Sequence, residues 1–157
     1  MISESEMLKT LAGYCSQAER CIFDIRKKIK PENFSGDAQK RMIDRLLREK
    51  FIDEKRYSRS FVHDKFNLNQ WGRIKIAYEL KLKGIHPDDY SEALETIDQD
   101  VYFAVLTDIL TTKKRSIKGN SPQDVYQKLF RFAAARGFEP PLIVKILKTI
   151  LKNIDDD

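Results

Sequence analysis

The amino-acid sequence predicts an all-α protein. Along nearly all of its 157 residues, apolar side chains recur at the three- and four-residue spacing of amphipathic helices, and no stretch alternates long enough to favour a strand. The six glycines and five prolines cluster at a few boundaries, where they are suited to end one helix and begin the next. Nine helices are predicted, at residues 4–14, 16–30, 36–50, 53–67, 70–84, 87–96, 98–114, 121–136 and 139–153.

Several of these helices have recognisable start and stop signals. Asp53 can accept hydrogen bonds from the free backbone N–H groups of the turn that follows it. Ser121 is a favourable N-cap, and Pro122 then occupies the first helical position, where its missing N–H has no consequence. Gly84 and Gly137 each follow a turn rich in Lys or Arg, and each can adopt the left-handed conformation that ends a helix.

The two glycines belong to an internal repeat. Residues 83–87, KGIHP, and residues 136–140, RGFEP, share the pattern base, glycine, apolar residue, any residue, proline, and they lie 53 residues apart. A degenerate copy without the glycine, KIKP, lies at residues 28–31. Because each copy closes one helix and opens another, the helices group as three units of three. These are predicted at residues 1–52, 53–97 and 98–157, the last with a short acidic tail. Repeats of this size typically form a linear array, and a single globular helical domain is the alternative.

The fifth helix has apolar residues on more than one side. One of its stripes consists of Trp71, Ile74, Tyr78 and Leu82. A second stripe consists of Ile76, Ala77 and Leu80. A helix with two apolar stripes is typically covered by several neighbours, so both stripes are predicted to be core. A platform on which nucleic-acid bases stack is the alternative for the aromatic residues.

Charge is unevenly distributed along a chain whose net charge is +5. Residues 40–83 have thirteen Lys or Arg against six acids, and residues 86–110 have seven acids with no Lys or Arg. Such an imbalance suggests a charged partner, for example nucleic acid or a nucleoprotein. Solvated helix faces would produce the same counts, so the distribution alone does not identify the partner.

Motifs for catalysis and for metal binding are absent from the sequence. It contains no glycine-rich phosphate loop, no G-x-S-x-G nucleophile elbow and no H-E-x-x-H zinc motif. Cys15 and Cys21 lie far from His63 and His86, so a zinc site with four closely spaced ligands is not expected. We therefore expect a protein that is not an enzyme, with no cofactor, no metal ion and no small-molecule substrate.

Targeting and membrane signals are absent too. No run approaches the roughly 18 consecutive apolar residues of a spanning helix. The N-terminus, MISESEMLKT, lacks a basic start followed by an apolar segment, as a secretion signal would have. We expect a cytoplasmic protein with no membrane partner.

A specific pattern of motifs runs through the centre and the last third of the chain. The central part comprises FIDEKRY at 51–57, FV at 61–62, WGR at 71–73, Ile76, EL at 79–80 and KGI at 83–85. The later part comprises LFRF at 129–132 and ARGF at 135–138. Together these motifs resemble the signature of the RecX regulatory family, and with the three-unit organisation the likeness covers residues 5–152. The chain departs from the family pattern in two places. Ser58 stands where the family usually has a small apolar residue. Ala134 and Ala135 precede Arg136, where the family often has a second basic residue close by, so the last unit has fewer positive charges on its surface.

The resemblance implies a fold, a function and a partner. Proteins of this family are three tandem three-helix repeats that form an elongated, curved array. They modulate the RecA recombinase without being enzymes, and they bind along its filament on single-stranded DNA. That binding inhibits strand exchange, ATP hydrolysis and co-protease activity, and so restrains recombination and the SOS response to DNA damage. By this resemblance, single-stranded DNA alone is bound only weakly.

Two alternatives from other classes remain open on the sequence. A helical DNA-binding protein would compete directly for single-stranded DNA, with a steep salt dependence. An adaptor for an acidic protein would require neither DNA nor RecA.

Basic residues on the predicted helices are the candidate contacts to the filament or to DNA, because Lys and Arg bind phosphates and acidic grooves. The eight candidates are Arg56, Arg59, Arg73, Lys81, Lys83, Lys128, Arg131 and Arg136. Ordinary surface pairing with nearby acids is the alternative for each of them. For Arg56 the specific alternative is a capping or pairing role beside Asp53.

Overall fold

The computed structural model describes residues 2–151, which form nine α-helices and one short 3₁₀ helix, with no strand among them. The predicted all-α class is therefore confirmed. The α-helices are α1 Glu4–Gln17, α2 Ile22–Lys28, α3 Gly36–Arg48, α4 Glu54–Asn67, α5 Arg73–Leu82, α6 Pro87–Glu95, α7 Gln99–Ser116, α8 Pro122–Ala135 and α9 Pro140–Ile150. The 3₁₀ helix covers Pro31–Asn33. The predicted end of the ninth helix at residue 153 and the acidic tail lie outside the described residues.

The boundary between the first two helices differs from the prediction. The first helix continues to Gln17 instead of ending at residue 14, and the second begins at Ile22 instead of residue 16. The backbone is extended at Ala18, with φ −167°. Asp24 then accepts a hydrogen bond from the N–H of Cys21 at 3.2 Å and so caps the second helix. Apolar spacing alone could not show this late start, because it depends on a single capping side chain.

The other helix ends follow the predicted signals, with one exception. Asp53 accepts a bond from the backbone N–H of Arg56 at 3.0 Å, and Ser121 caps α8, whose first residue is Pro122. Both caps are confirmed. α5 begins at Arg73 and not at residue 70, because the chain turns through a left-handed residue at Gln70, with φ 56°.

The chain divides into two compact units. The first unit comprises residues 2–61 and Leu80–Ala93, and the second comprises Val62–Glu79 and residues 94–151. Both α4 and α5 contribute residues to each unit. The division into three tandem units at residues 1–52, 53–97 and 98–157, and their elongated, curved arrangement, remain predictions.

Each unit has its own apolar core. In the first unit, one core cluster joins α1, α2, α3 and the start of the next segment through Met7, Leu11, Ile25, Ile29, Met42, Ile43, Leu46 and Ile52. In the second unit, α7, α8 and α9 pack on one another, and Tyr102 and Phe138 are its largest fully buried side chains. The ring of Tyr102 lies between two others, with centroid distances of 5.7 Å to Phe66 and 5.1 Å to Phe138. Burial of these apolar surfaces supplies the main stabilising free energy.

The prediction for the fifth helix is correct for one stripe and wrong for the other. Ile76 and Leu80 are fully buried, as expected. Ile74, Tyr78 and Leu82 are 51%, 58% and 58% exposed. Helical spacing shows that a helix has two apolar faces, but which face acquires a neighbour depends on tertiary packing.

Among the described residues, no helix is long and apolar enough to cross a bilayer. Within the same part of the chain, no group of three or more His, Cys, Asp or Glu side chains is placed to hold a metal ion.

Candidate partner-binding residues

Two of the eight predicted basic residues meet at a close backbone junction in the second unit. The N–H of Gly72 donates to the carbonyl oxygen of Arg136 at 2.7 Å, and the N–H of Ile74 donates to the carbonyl oxygen of Gly137 at 3.0 Å. A Cβ atom on Gly72 would overlap the Gly137 carbonyl, and a Cβ on Gly137 would lie 2.5 Å from the backbone nitrogen of Lys75. Glycine at both positions therefore lets the start of α5 approach the turn between α8 and α9.

The side chain of Arg73 is held inside this junction. Its guanidinium carbon lies 3.9 Å from the ring centroid of Tyr102, and its Nη1 lies 3.5 Å from the carboxylate of Glu139. The hydroxyl of Tyr102 accepts a bond from the backbone N–H of Arg73 at 3.0 Å and donates to Glu139. Burial and the bond to Glu139 raise the pKa of Tyr102. Because the side chain of Arg73 is only 21% exposed, its charge interacts mainly with Tyr102 and Glu139.

Arg136 lies beside a cation that the sequence analysis did not single out. Its guanidinium is 4.9 Å from the ring centroid of Phe132, and Lys113 of α7 approaches the same ring at 4.7 Å. Arg136 also donates to the carbonyl of Asn69 at 3.5 Å. Arg136 and Lys113 both line an open groove of about 300 Å³ in the second unit, together with Asp108. No spacing rule links residues 113 and 136, so only the folded chain shows that they are neighbours.

The two predicted cations of α8 differ in how firmly they are held. Lys128 donates to the carbonyl of Lys118 at 2.8 Å and pairs with Asp124 at 3.1 Å. Arg131 is exposed, and its Nε makes one long bond of 3.4 Å to the carbonyl of Gln127 within the same helix. The charge of Arg131 is therefore available to a partner, while that of Lys128 is largely neutralised.

In the first unit, Arg56 is held by another part of the chain. Its Nε lies 2.7 Å and 2.9 Å from the two carboxylate oxygens of Glu19. Its Nη2 donates to the carbonyls of Lys50 and Phe51 at 3.1 Å and 3.3 Å. The expected association with Asp53 is through the backbone N–H of Arg56, and the side chain pairs with Glu19 instead.

Lys83 is held in the same unit by a partly buried ion pair. Its Nζ lies 3.2 Å from Oδ1 of Asp24, and the two side chains are 26% and 17% exposed. Burial by itself would lower the pKa of Lys83, but hydrogen bonds to Tyr57 and Asp24 outweigh it and raise the pKa above its ordinary value.

Burial also raises the pKa of Tyr57 to about 12 and that of Cys21 to about 11. The thiol of Cys21 therefore stays protonated and unreactive at neutral pH.

A partly buried carboxylate that the sequence analysis did not identify, Glu54, lies in the first unit. Oε1 of Glu54 accepts a hydrogen bond from the N–H of Ile22 at 3.2 Å and so ties the start of α2 to the start of α4. Its Oε2 is buried with no hydrogen-bond partner among the described residues. Burial, followed by the nearby charges of Asp89 and Asp24, raises the pKa of Glu54.

The eight candidates therefore fall into two groups. Arg59, Lys81 and Arg131 are exposed, and no salt bridge joins their side chains to any residue in the part of the chain that the structure describes. The other five are half-buried, and their side chains are bonded to other residues of the protein, namely Arg56, Arg73, Lys83, Lys128 and Arg136. Of the eight, Arg73 and Arg136 come together at the glycine junction.

Replacing Tyr102 by phenylalanine is expected to lower the free energy of unfolding by about 1–3 kcal/mol, because the N–H of Arg73 and the carboxylate of Glu139 would each lose a partner. Urea unfolding followed by circular dichroism measures this loss. The control is Tyr126→Phe, at a half-buried tyrosine whose hydroxyl has no bond to any described residue, and a change below about 0.5 kcal/mol is expected there. Equal midpoints for the two variants would contradict a structural role for the Tyr102 hydroxyl.

Together these features define a class: an all-α protein with solvent-facing cations on its helices. A family model described as the second three-helix domain of RecX matches residues 53–94, which include α4, α5 and all but the last residue of α6. The chain belongs to the RecX family of regulatory proteins.

Relatives named "Regulatory protein RecX" match most of the chain. The protein of Clostridium tetani is 30% identical over 137 residues, which are 86% of this chain and 61% of that protein. The protein of Prosthecochloris aestuarii is 28% identical over 155 residues, which are 97% of this chain and 100% of that protein. The chain thus spans about three fifths of the length of the Clostridium tetani protein and all of the length of the other.

Solved structures share the fold. A crystal structure of RecX from Lactobacillus salivarius matches with a TM-score of 0.79 at 18% identity, covering 98% of this chain and 97% of that one. A crystal structure of regulatory protein RecX matches with a TM-score of 0.81 at 21% identity, covering 98% of this chain and 73% of that one.

Proposed function

We propose that this protein binds the RecA filament on single-stranded DNA, in the cytoplasm, and inhibits its ATP hydrolysis, strand exchange and co-protease activity. The observation that carries the proposal is membership of the RecX regulatory family, with relatives that match 86% and 97% of the chain. The resemblance of the sequence motifs implies RecA as the partner. The exposed cations described above support it, since both the DNA and acidic protein surfaces would attract them.

Arg59, Lys81 and Arg131 are the residues that we propose for contact with the filament, because their charges are exposed. Arg56, Arg73, Lys83, Lys128 and Arg136 would act indirectly, by holding the helices in place. Several weak contacts to one filament add through their effective concentration, so a modest affinity at each cation suffices for strong binding to the assembled filament.

The experiment that tests the proposal is a titration of this protein into RecA hydrolysing ATP on single-stranded DNA, with RecA from the same source. Loss of hydrolysis well below one copy per RecA is expected if the protein acts on the filament. Loss only near saturation of the DNA would favour direct competition for DNA, which the excess of Lys and Arg over residues 40–83 also allows. Unchanged hydrolysis at every ratio would refute both functions.

Reversing the three exposed charges together, in the variant Arg59→Glu/Lys81→Glu/Arg131→Glu, is expected to weaken inhibition of RecA about tenfold or more. Exposed charge pairs contribute roughly 0.5 kcal/mol each, so three of them amount to about 1.5 kcal/mol, which corresponds to about tenfold in affinity. The concentration for half-maximal inhibition measures the effect. The control Lys9→Glu/Lys40→Glu/Arg48→Glu makes the same change in net charge at exposed positions of α1 and α3. If the two variants inhibit RecA equally, the net charge of the protein determines inhibition, and the positions of these three cations do not.

A further inference from the structure

The helix α5 has an apolar face that nothing covers in the described part of the chain. Its inner face contains Ile76 and Leu80, which are fully buried. On the opposite side, Ile74, Tyr78 and Leu82 are each more than half exposed. Water therefore contacts three large apolar side chains on a helix of ten residues.

These three side chains form a continuous row. They are spaced four residues apart, and residues at that spacing stand next to one another on the surface of a helix. The other large apolar side chains that are exposed in residues 2–151 are on other segments: Ile2, Phe23, Leu47, Phe51, Leu68 and Val101. Single exposed apolar residues are common on soluble proteins, whereas a contiguous apolar patch marks a site of interaction.

Lysines flank this row on both sides. Lys75 and Lys81 each lie three residues from Tyr78 along the helix, and at 100° per residue they fall on opposite edges of the row. Lys81 is exposed, and the ammonium of Lys75 lies 4.5 Å from the ring centroid of Trp71. We call these five residues the outer face of α5: Ile74, Lys75, Tyr78, Lys81 and Leu82. A complementary partner presents apolar side chains with carboxylates on either side.

The composition of the outer face favours a protein over a nucleic acid. Ile74 and Leu82 are aliphatic, and they have no π system on which a base could stack. Tyr78 is the single aromatic residue of the row. The neighbouring ring of Trp71 is already approached by Lys65 at 4.9 Å and by Lys75 at 4.5 Å. Aliphatic side chains between cations are suited to an amphipathic, acidic protein segment.

From this juxtaposition we propose that the outer face of α5 binds an acidic, amphipathic segment of the RecA protomer. This inference rests on the function proposed above and specifies which surface makes the apolar contact. The exposed cations would steer association, and the apolar row would determine how long the complex persists, since buried apolar anchors at the centre of an interface dominate its stability.

The test compares the variant Ile74→Gln/Tyr78→Gln/Leu82→Gln with wild type. Glutamine keeps a good helix propensity, so α5 is expected to form in the variant. Two probes are used, RecA filaments assembled on single-stranded DNA with a non-hydrolysable ATP analogue, and the same DNA without RecA. The control Ile2→Gln/Phe51→Gln/Val101→Gln removes three exposed apolar side chains from other segments.

We expect the α5 variant to bind filaments at least tenfold more weakly than wild type, and to bind bare DNA as wild type does. The control variant should retain both affinities. Filament binding within twofold of wild type would overturn the inference while leaving the proposed function intact. An equal loss on bare DNA would overturn it in favour of a nucleic-acid surface. Failure of the wild-type protein to bind filaments would overturn the proposed function itself, and the inference with it.

Discussion

Replacing Gly137 by alanine is expected to lower the free energy of unfolding by about 2–5 kcal/mol. Gly137 has a φ of +91°, and an L residue in the left-handed region costs roughly 1–2 kcal/mol. The added Cβ would also lie 2.5 Å from the backbone nitrogen of Lys75, so α5 would have to move. That movement would break the 3.0 Å hydrogen bond from Ile74 to the Gly137 carbonyl, and forced backbone shifts typically cost a further 1–3 kcal/mol.

Gly84→Ala is the matched control, because Gly84 ends α5 within the same sequence motif. Its φ is +76°, but a Cβ there would meet no heavy atom within 4 Å. The expected loss is therefore only the conformational term of about 1–2 kcal/mol. Gly72→Ala isolates the steric contribution, since a Cβ at Gly72 would overlap the Gly137 carbonyl, whereas the backbone at Gly72 is not left-handed. Urea unfolding of the three variants measures these terms, and equal losses for Gly84 and Gly137 would disprove the close junction.

Replacing Lys83 by methionine is expected to cost about 2 kcal/mol of stability. The change leaves the carboxylate of Asp24, which is 17% exposed, without its cation. Removal of one partner from a fully buried pair costs about 3–5 kcal/mol, and the partial exposure of this pair reduces the loss. In a double-mutant cycle, Lys83→Met together with Asp24→Asn should cost less than the sum of the two single changes. Additive losses would show that the two side chains do not interact.

The same change distinguishes a structural role of Lys83 from a contact with RecA. Folded Lys83→Met protein is expected to inhibit RecA with the potency of wild type. Lys81→Met is the control, because Lys81 lies two residues earlier and is exposed. It should change stability by less than about 0.5 kcal/mol and weaken inhibition. The opposite pattern, with potency lost at Lys83 and kept at Lys81, would place the contact at the ion pair.

The sequence determined the features that depend on neighbours along the chain. Apolar spacing predicted the all-α class, and the caps at Asp53 and Ser121 were identified correctly because an N-cap needs only its own side chain and the next three N–H groups. The stops at Gly84 and Gly137 were predicted for the same reason, since both glycines have the left-handed φ. The ordered motifs between residues 51 and 138 were sufficient to indicate the RecX family.

Tertiary structure alone decided what each of these local features contacts. Gly84 and Gly137 share one motif, yet only Gly137 is pressed against another helix. Lys81 and Lys83 are two residues apart in a basic stretch, yet one is exposed and the other is paired with Asp24, 59 residues away. The two apolar stripes of α5 were equivalent by spacing, and packing covered just one of them. Spacing along a helix fixes the direction of a side chain, whereas its burial and its charge partners depend on segments that are distant in sequence.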